Sequence, residues 1–174
     1  MPTVRNDVFK LGENFVTLIG DEVKVGDMAP EFTAAAQNWA PVNPVADSKG
    51  KVIILSAVPS LETDVCDRET RRFNEEAGKL GDDIIVYTVS TDFPMTQKRW
   101  CGAAGIENVE VVSDVLNAEM GEKYGILIKE RRYLRRSVFI VGRDGKLTYV
   151  NYLPELGKEP DYDEVIAEAK KALG

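Results

Sequence analysis

The decisive stretch of this chain runs from Lys51 to Asn74: KVIILSAV (51–58), PSLETDVC (59–66), then DRETRRFN (67–74). Lys51 to Val58 is a continuous apolar, β-branched run, which predicts a central strand buried on both faces. Pro59 has no amide hydrogen for a ladder and ends that strand. Thr63 is a natural N-cap, so a helix starts just after it and runs from Cys66 to Leu80, closed by Gly81. Cys66 then falls near the third helical position. There the unpaired N–H groups and the positive end of the helix dipole favour a thiolate, the reactive form of cysteine. Asp64, Asp67 and Glu69 push against that charge, so a cation is needed nearby. Arg68, Arg71 and Arg72 are the local candidates, although on a helix they can simply face solvent.

Outward from this stretch, Val8-Phe9-Lys10 and Phe15-Val16-Thr17-Leu18 flank Leu11-Gly12-Glu13-Asn14 and read as an N-terminal hairpin, about residues 7–18. Val25 to Pro30 is a turn-rich connection, and Phe32-Thr33-Ala34 a short strand. Asp83 to Ser90 is a second central strand, and Pro94 to Ala104 a helix with proline in its first turn. Val109 to Val112 reads as a strand and Asn117 to Tyr124 as a short helix. Ser137 to Val141 and Leu147 to Tyr152 are strands joined by Gly142-Arg143-Asp144-Gly145, a hairpin signal. Tyr162 to Leu173 is a closing helix. Alternating strands and helices imply a largely parallel central sheet, and the late hairpin adds antiparallel strands. That order alone allows flavodoxin-like folds as well as a thioredoxin-like one. No repeat, low-complexity segment or linker divides the chain, so residues 1–174 are expected to form one domain.

Composition removes several classes of function. The chain has 174 residues and a net charge of −7. An acidic surface repels phosphates, so nucleic acid is not an expected partner. No apolar run approaches the length of a membrane span. Residues 1–12 carry no charged-then-apolar signal pattern, so a cytoplasmic location is expected. In that compartment two thiols stay reduced at rest, and a disulfide between them would belong to a reaction cycle. The chain contains no histidine and only two cysteines, Cys66 and Cys101. Ser-His-Asp and Cys-His catalysis are thereby excluded, and two cysteines alone make a poor zinc site. No metal and no cofactor are expected.

At residues 59–66 the sequence resembles the peroxiredoxins, and within them the atypical two-cysteine thiol peroxidases. Pro59, Thr63 and Cys66 match the Pro-x-x-x-Thr-x-x-Cys motif position for position. Arg99-Trp100-Cys101-Gly102-Ala103-Ala104-Gly105 is similar to the segment that carries the resolving cysteine. FNEEA (73–77), STDFP (90–94) and EPDY (159–162) extend the likeness over nearly the whole chain. Two departures are mild: Glu62 stands where aspartate is usual, and KERRYLR (129–135) is unusually basic.

The resemblance selects the thioredoxin-like fold: a central mixed sheet flanked by helices, with the N-terminal hairpin added. It implies that Cys66 is the peroxidatic thiol and that Thr63 and an arginine from a later strand hold the peroxide. Arg136 matches that arginine. Arg135 is its neighbour, with the wrong parity because strand side chains alternate faces. Pro59 would shape the pocket. Cys66 would become a sulfenic acid, and Cys101 would resolve it as an intramolecular disulfide, with thioredoxin as reductant. Hydrogen peroxide and organic hydroperoxides are the implied substrates, and a homodimer the implied assembly. Two other classes remain open: a redox relay or sensor using the same disulfide switch, and an interaction module with inert cysteines. Trp39, Trp100, Phe93 and Tyr87 read as core or rim, and Glu130-Arg131-Arg132 as a solvated loop.

Overall fold

In the computed structural model, which describes residues 1–174, the chain begins with an antiparallel hairpin, Val4–Leu11 (β1) and Asn14–Ile19 (β2). A short strand, Ala34–Ala35 (β3), pairs with Pro41–Val42 (β4), and Asn43 caps the one-turn helix Pro44–Asp47 (α1). The central units follow as Val52–Ala57 (β5), Asp64–Ala77 (α2), Ile84–Ser90 (β6), Pro94–Ala104 (α3) and Glu110–Ser113 (β7). Glu119–Lys123 (α4) leads to two brief strands, Leu127–Ile128 (β8) and Tyr133–Leu134 (β9). Ser137–Val141 (β10), Leu147–Tyr152 (β11) and Tyr162–Ala172 (α5) complete the chain.

Seven strands form the main sheet, in the order β11-β10-β5-β6-β7-β3-β4. β5, β6 and β7 run parallel, and the remaining pairs are antiparallel. This is the thioredoxin-like arrangement, with helices packed against a central mixed sheet. Every residue of β5 is buried, as its unbroken apolar sequence requires. Strand alternation divides its side chains between two cores. Ile53, Leu55 and Ala57 join one cluster with Phe32, Val89, Tyr124 and Phe139. Val52 and Ile54 join the other with Val86, Val138 and Val165, and both cysteines lie in that second cluster.

A second sheet, ordered β1-β2-β8-β9, binds the N-terminal hairpin to the chain that precedes β10. Glu130-Arg131-Arg132, read from sequence as a solvated loop, form the exposed turn between β8 and β9, but the sequence reading assigns no strand on either side of it. Strands β8 and β9 are too short to show a period of two, and they form because β2 offers an open edge to β8. Helix α2 stops at Ala77 rather than Leu80. Gly78 is its C-cap and donates its N–H to the Asn74 carbonyl, which suits a residue with poor helix propensity. Strand β3 begins at Ala34, because Phe32 is drawn wholly into the core. Of the aromatic residues read as core or rim, Trp100 and Tyr87 are buried, whereas Trp39 and Phe93 are exposed. No helix is long and apolar enough to cross a membrane.

Candidate active site

Thr63 is the N-cap of α2, with an extended backbone. Its Oγ1 accepts the Cys66 N–H at 3.3 Å and donates to the Ser60 carbonyl at 3.2 Å. Cys66 is therefore the third helical residue, inside the turn whose amides have no helical acceptor. It is fully buried, with a relative exposure of 0%. Its own carbonyl accepts the Thr70 hydroxyl at 2.8 Å, which fixes the first turn from within.

Arg136 reaches this sulfur from the residue just before β10. It uses all three directions of its guanidinium. Nη2 donates to Cys66 Sγ at 3.2 Å, Nη1 to Glu69 Oε2 at 2.5 Å, and Nε to the Leu156 carbonyl at 2.9 Å. The other carboxylate oxygen of Glu69 accepts the Ser56 hydroxyl at 2.9 Å. Burial works against the Arg136 charge, yet Glu69 and Cys66 hold its pKa above the ordinary arginine value. Burial raises the pKa of the Glu69 carboxyl, and Arg136 and Ser56 pull it back only in part. The outcome is a positive group, fixed at three points, facing a sulfur at a helix N-terminus.

Arg135 points the other way. Its Nε donates to the Leu153 carbonyl at 3.0 Å, and its guanidinium lies 4.4 Å from the ring centre of Phe9 and 5.5 Å from that of Tyr152. The two arginines are neighbours in the short connection between β9 and β10, and their side chains leave it on opposite sides, as they would along a strand. The local candidates are engaged elsewhere on the surface: Arg68 with Glu159, Arg71 with Asp67, and Arg72 with Glu76 and Asp163.

Glu69 is the residue whose part the sequence reading gets wrong. It is read there as an acid opposing the thiolate, but its charge is spent on the arginine. Cys66, Glu69, Thr70 and Phe73 are the buried residues of α2, a one-face helical spacing. An acid on that face needs a buried cation, and this spacing was the available signal.

Cys101 lies near the end of α3, buried in the same apolar cluster as Cys66. Both thiols are free. Burial pushes the Cys101 thiol up to about 11, with Gln37 opposing the shift through a hydrogen bond. Three surface contacts join the elements that carry the cysteines, one of them from Arg71 Nη1 to the Ala104 carbonyl at 3.5 Å. Glu62, in the loop before α2, pairs with Arg99 of α3. Arg71 of α2 stacks over Trp100 at 5.5 Å.

Pro59 ends β5 and lines a cavity of about 350 Å³ together with Ser60, Thr91, Asp92, Asp114 and Arg131. A larger cavity of about 930 Å³ lies between the hairpin and the loop around Leu156. None of Pro59, Thr63, Cys66 or Cys101 lines it, so this cavity is separate from the surroundings of Cys66. No cluster of acidic and cysteine side chains has the arrangement of a metal site.

The Redoxin family matches residues 24–166 of this chain. A thiol peroxidase from Bacillus subtilis is 53% identical over 158 residues, covering 91% of this chain and 93% of that protein. One from Listeria innocua is 46% identical over 159 residues, covering 91% and 95%. A solved structure, a peroxiredoxin-like protein from Aquifex aeolicus, superposes with a TM-score of 0.86 at 39% identity over 98% of each chain. A thiol peroxidase from Chromobacterium violaceum, at 18% identity and a TM-score of 0.80 over 95% and 96%, shares the fold. A thioredoxin-like sheet with a buried cysteine at a helix N-terminus is the architecture of a peroxiredoxin. The chain belongs to the Redoxin family and, within it, to the thiol peroxidases.

Proposed function

We propose that Cys66 performs the thiol-dependent peroxidase reaction of this family, with Arg136, Thr63 and the Pro59 turn forming its pocket. The observation that carries this reading is the 3.2 Å contact from Arg136 Nη2 to Cys66 Sγ, made by a guanidinium that Glu69 and Leu156 hold in place. A group fixed before the substrate arrives needs no reorganisation during the reaction.

The Cys66 thiolate attacks the terminal oxygen of a hydroperoxide. The S–O bond forms as the O–O bond breaks, and water or an alcohol leaves after taking a proton. Arg136 and the Thr63 hydroxyl face the charge that develops along the O–O axis. Cys66 is left as a sulfenic acid. The Cys101 thiol then forms an S–S bond with it and releases water. Two electrons and two protons from a dithiol reductant restore both cysteines. Thioredoxin is the reductant proposed, in the cytoplasm, where both thiols begin reduced.

The whole chain acts as one domain in this scheme, and its assembly is a homodimer. Phe93, Met95 and Leu116 support the dimer, since all three are exposed, just beyond the carboxyl ends of β6 and β7. The test is consumption of hydrogen peroxide and an organic hydroperoxide with a thioredoxin system. The wild-type chain is expected to turn over both, and Cys66→Ser neither. Near wild-type turnover by Cys66→Ser would reject the assignment.

A further inference from the structure

Asp92, between β6 and α3, takes no part in the chemistry above, yet four hydrogen bonds converge on it. Its Oδ1 accepts the Ser60 hydroxyl at 2.7 Å. Its Oδ2 accepts the Leu61 N–H at 2.9 Å and the Ser90 hydroxyl at 2.7 Å. Its backbone carbonyl accepts the Ser113 hydroxyl at 2.5 Å, which ties it to the end of β7.

Both partners on the Cys66 side belong to the loop that leads into α2. Ser60 supplies the carbonyl that accepts from Thr63 Oγ1, and Thr63 Oγ1 caps the Cys66 amide. Leu61 is fully buried in the apolar cluster that holds Cys66. On the other side, Ser90 Oγ accepts from Gln97 Nε2 at 3.0 Å, and the same nitrogen donates to the Val112 carbonyl at 2.8 Å. Gln97 and Cys101 both belong to α3 and both are buried. Their i, i+4 spacing puts them on one face. A continuous hydrogen-bonded path thus runs from the cap of the Cys66 helix, through Asp92, to the face of α3 that carries Cys101.

We propose that Asp92 is a positioning residue for the peroxide-reducing step: a latch that holds Ser60 and Leu61, and through them the Thr63 cap, while Cys66 is a thiol or a sulfenic acid. This rests on the reading of Cys66 as the reacting thiol. Reduction of peroxide uses the intact first turn of α2. In this proposal disulfide formation loosens that turn, because the Cys66 sulfur must leave its buried contact with Arg136 to bond Cys101. A latch on the loop favours the first state over the second. Its loss therefore affects the two steps differently, which a general loss of packing does not.

The variant is Asp92→Asn in the full chain. It keeps the size but replaces one accepting oxygen with an amino group, so either Ser60 Oγ, or Leu61 N–H and Ser90 Oγ together, lose their acceptor. Sulfenic acid formation is measured with hydrogen peroxide in a Cys101→Ser background. Disulfide formation is followed by acid quench and mass spectrometry with Cys101 present. Asp92→Asn is expected to slow the first step on the order of ten- to a hundredfold. The second step should not slow, and excess peroxide should give less sulfinic acid at Cys66. Ser60→Ala should act in the same direction but less, and the double variant should be no worse than Asp92→Asn alone. Equal slowing of both steps, an unchanged first step, or additive effects would overturn the latch. If Asp92→Asn does not fold, Ser60→Ala carries the same comparison of the two steps. A wild-type chain that forms no sulfenic acid at Cys66 overturns the assignment of the reacting thiol itself, an outcome distinct from every result above.

Discussion

At the residue scale, the site depends on which arginine faces sulfur and what holds it there. Arg136→Ala should lower the peroxide step by about a hundredfold or more, the usual effect of losing one preorganised donor. Arg136→Lys should recover little, because a single ammonium cannot satisfy Cys66, Glu69 and Leu156 together. Rapid-quench measurement of sulfenic acid checks both, and a fast Arg136→Lys enzyme would contradict the three-point account. Glu69→Ala leaves a buried guanidinium without its counter-charge, which typically costs about 3–5 kcal/mol of stability. Denaturant titration should show that loss. Arg135→Ala should instead spare the peroxide step and lower Tm, because its contacts are with Phe9, Tyr152 and Leu153. Legibility in the sequence followed the same division. Cys66, Thr63 and the parity of Arg136 could be read from spacing and motif, because each obeys a local periodicity. The partnership of Glu69 with Arg136 could not, because it spans 67 positions and is fixed only when β10 docks beside β5.

At the element scale, α2 and α3 carry the two cysteines, and the proposed cycle acts near their ends. The Thr63 cap gives α2 about 1 kcal/mol, so Thr63→Val should reduce stability as well as rate. Thr63→Ser restores the capping oxygen and should recover both, as melting curves beside kinetics would show. Oxidation by one equivalent of peroxide should give a chain lighter by two hydrogens on mass spectrometry. In that form, amide exchange should quicken in the first turn of α2 and around Cys101, and not in β5 or β10. Unchanged exchange at both places would mean that the thiols meet without unwinding. The long elements were legible because each satisfies its own burial pattern: β5 as an apolar run, β10 and β11 as a hairpin with Gly145 at φ 84° in its turn. The short ones were not. Strands β8 and β9 have two residues each, and pairing with the N-terminal hairpin, not propensity, makes them strands.

At the scale of the whole molecule, two sheets meet in the stretch from β9 to β10, where Arg135 faces the hairpin and Arg136 the thiol. A single unfolding transition is expected, coincident by fluorescence and circular dichroism, because the hairpin sheet shares that stretch with the main sheet. Stability should also depend on pH through Asp114. It is buried, and its carboxyl is raised from 3.8 to about 6, chiefly by desolvation, with the Gly121 and Met120 amides opposing. The folded state therefore binds this proton more tightly than the unfolded one. The stabilisation is complete below about pH 4 and is lost as pH rises through 6, a change of about 3 kcal/mol. The difference between wild type and Asp114→Asn should fall by about 2 kcal/mol from pH 4 to 7, most of the full change, and a flat difference would contradict it. One consequence of burial reaches into handling at the bench. Cys66 and Cys101 are 0% and 7% exposed, so this thiol enzyme presents almost no sulfur at its surface. Bulky thiol reagents should count close to zero on the native chain and two after denaturation. Concentrated stocks left in air should stay free of crosslinks between neighbours while both cysteines are reduced, because neither sulfur is then presented to another molecule.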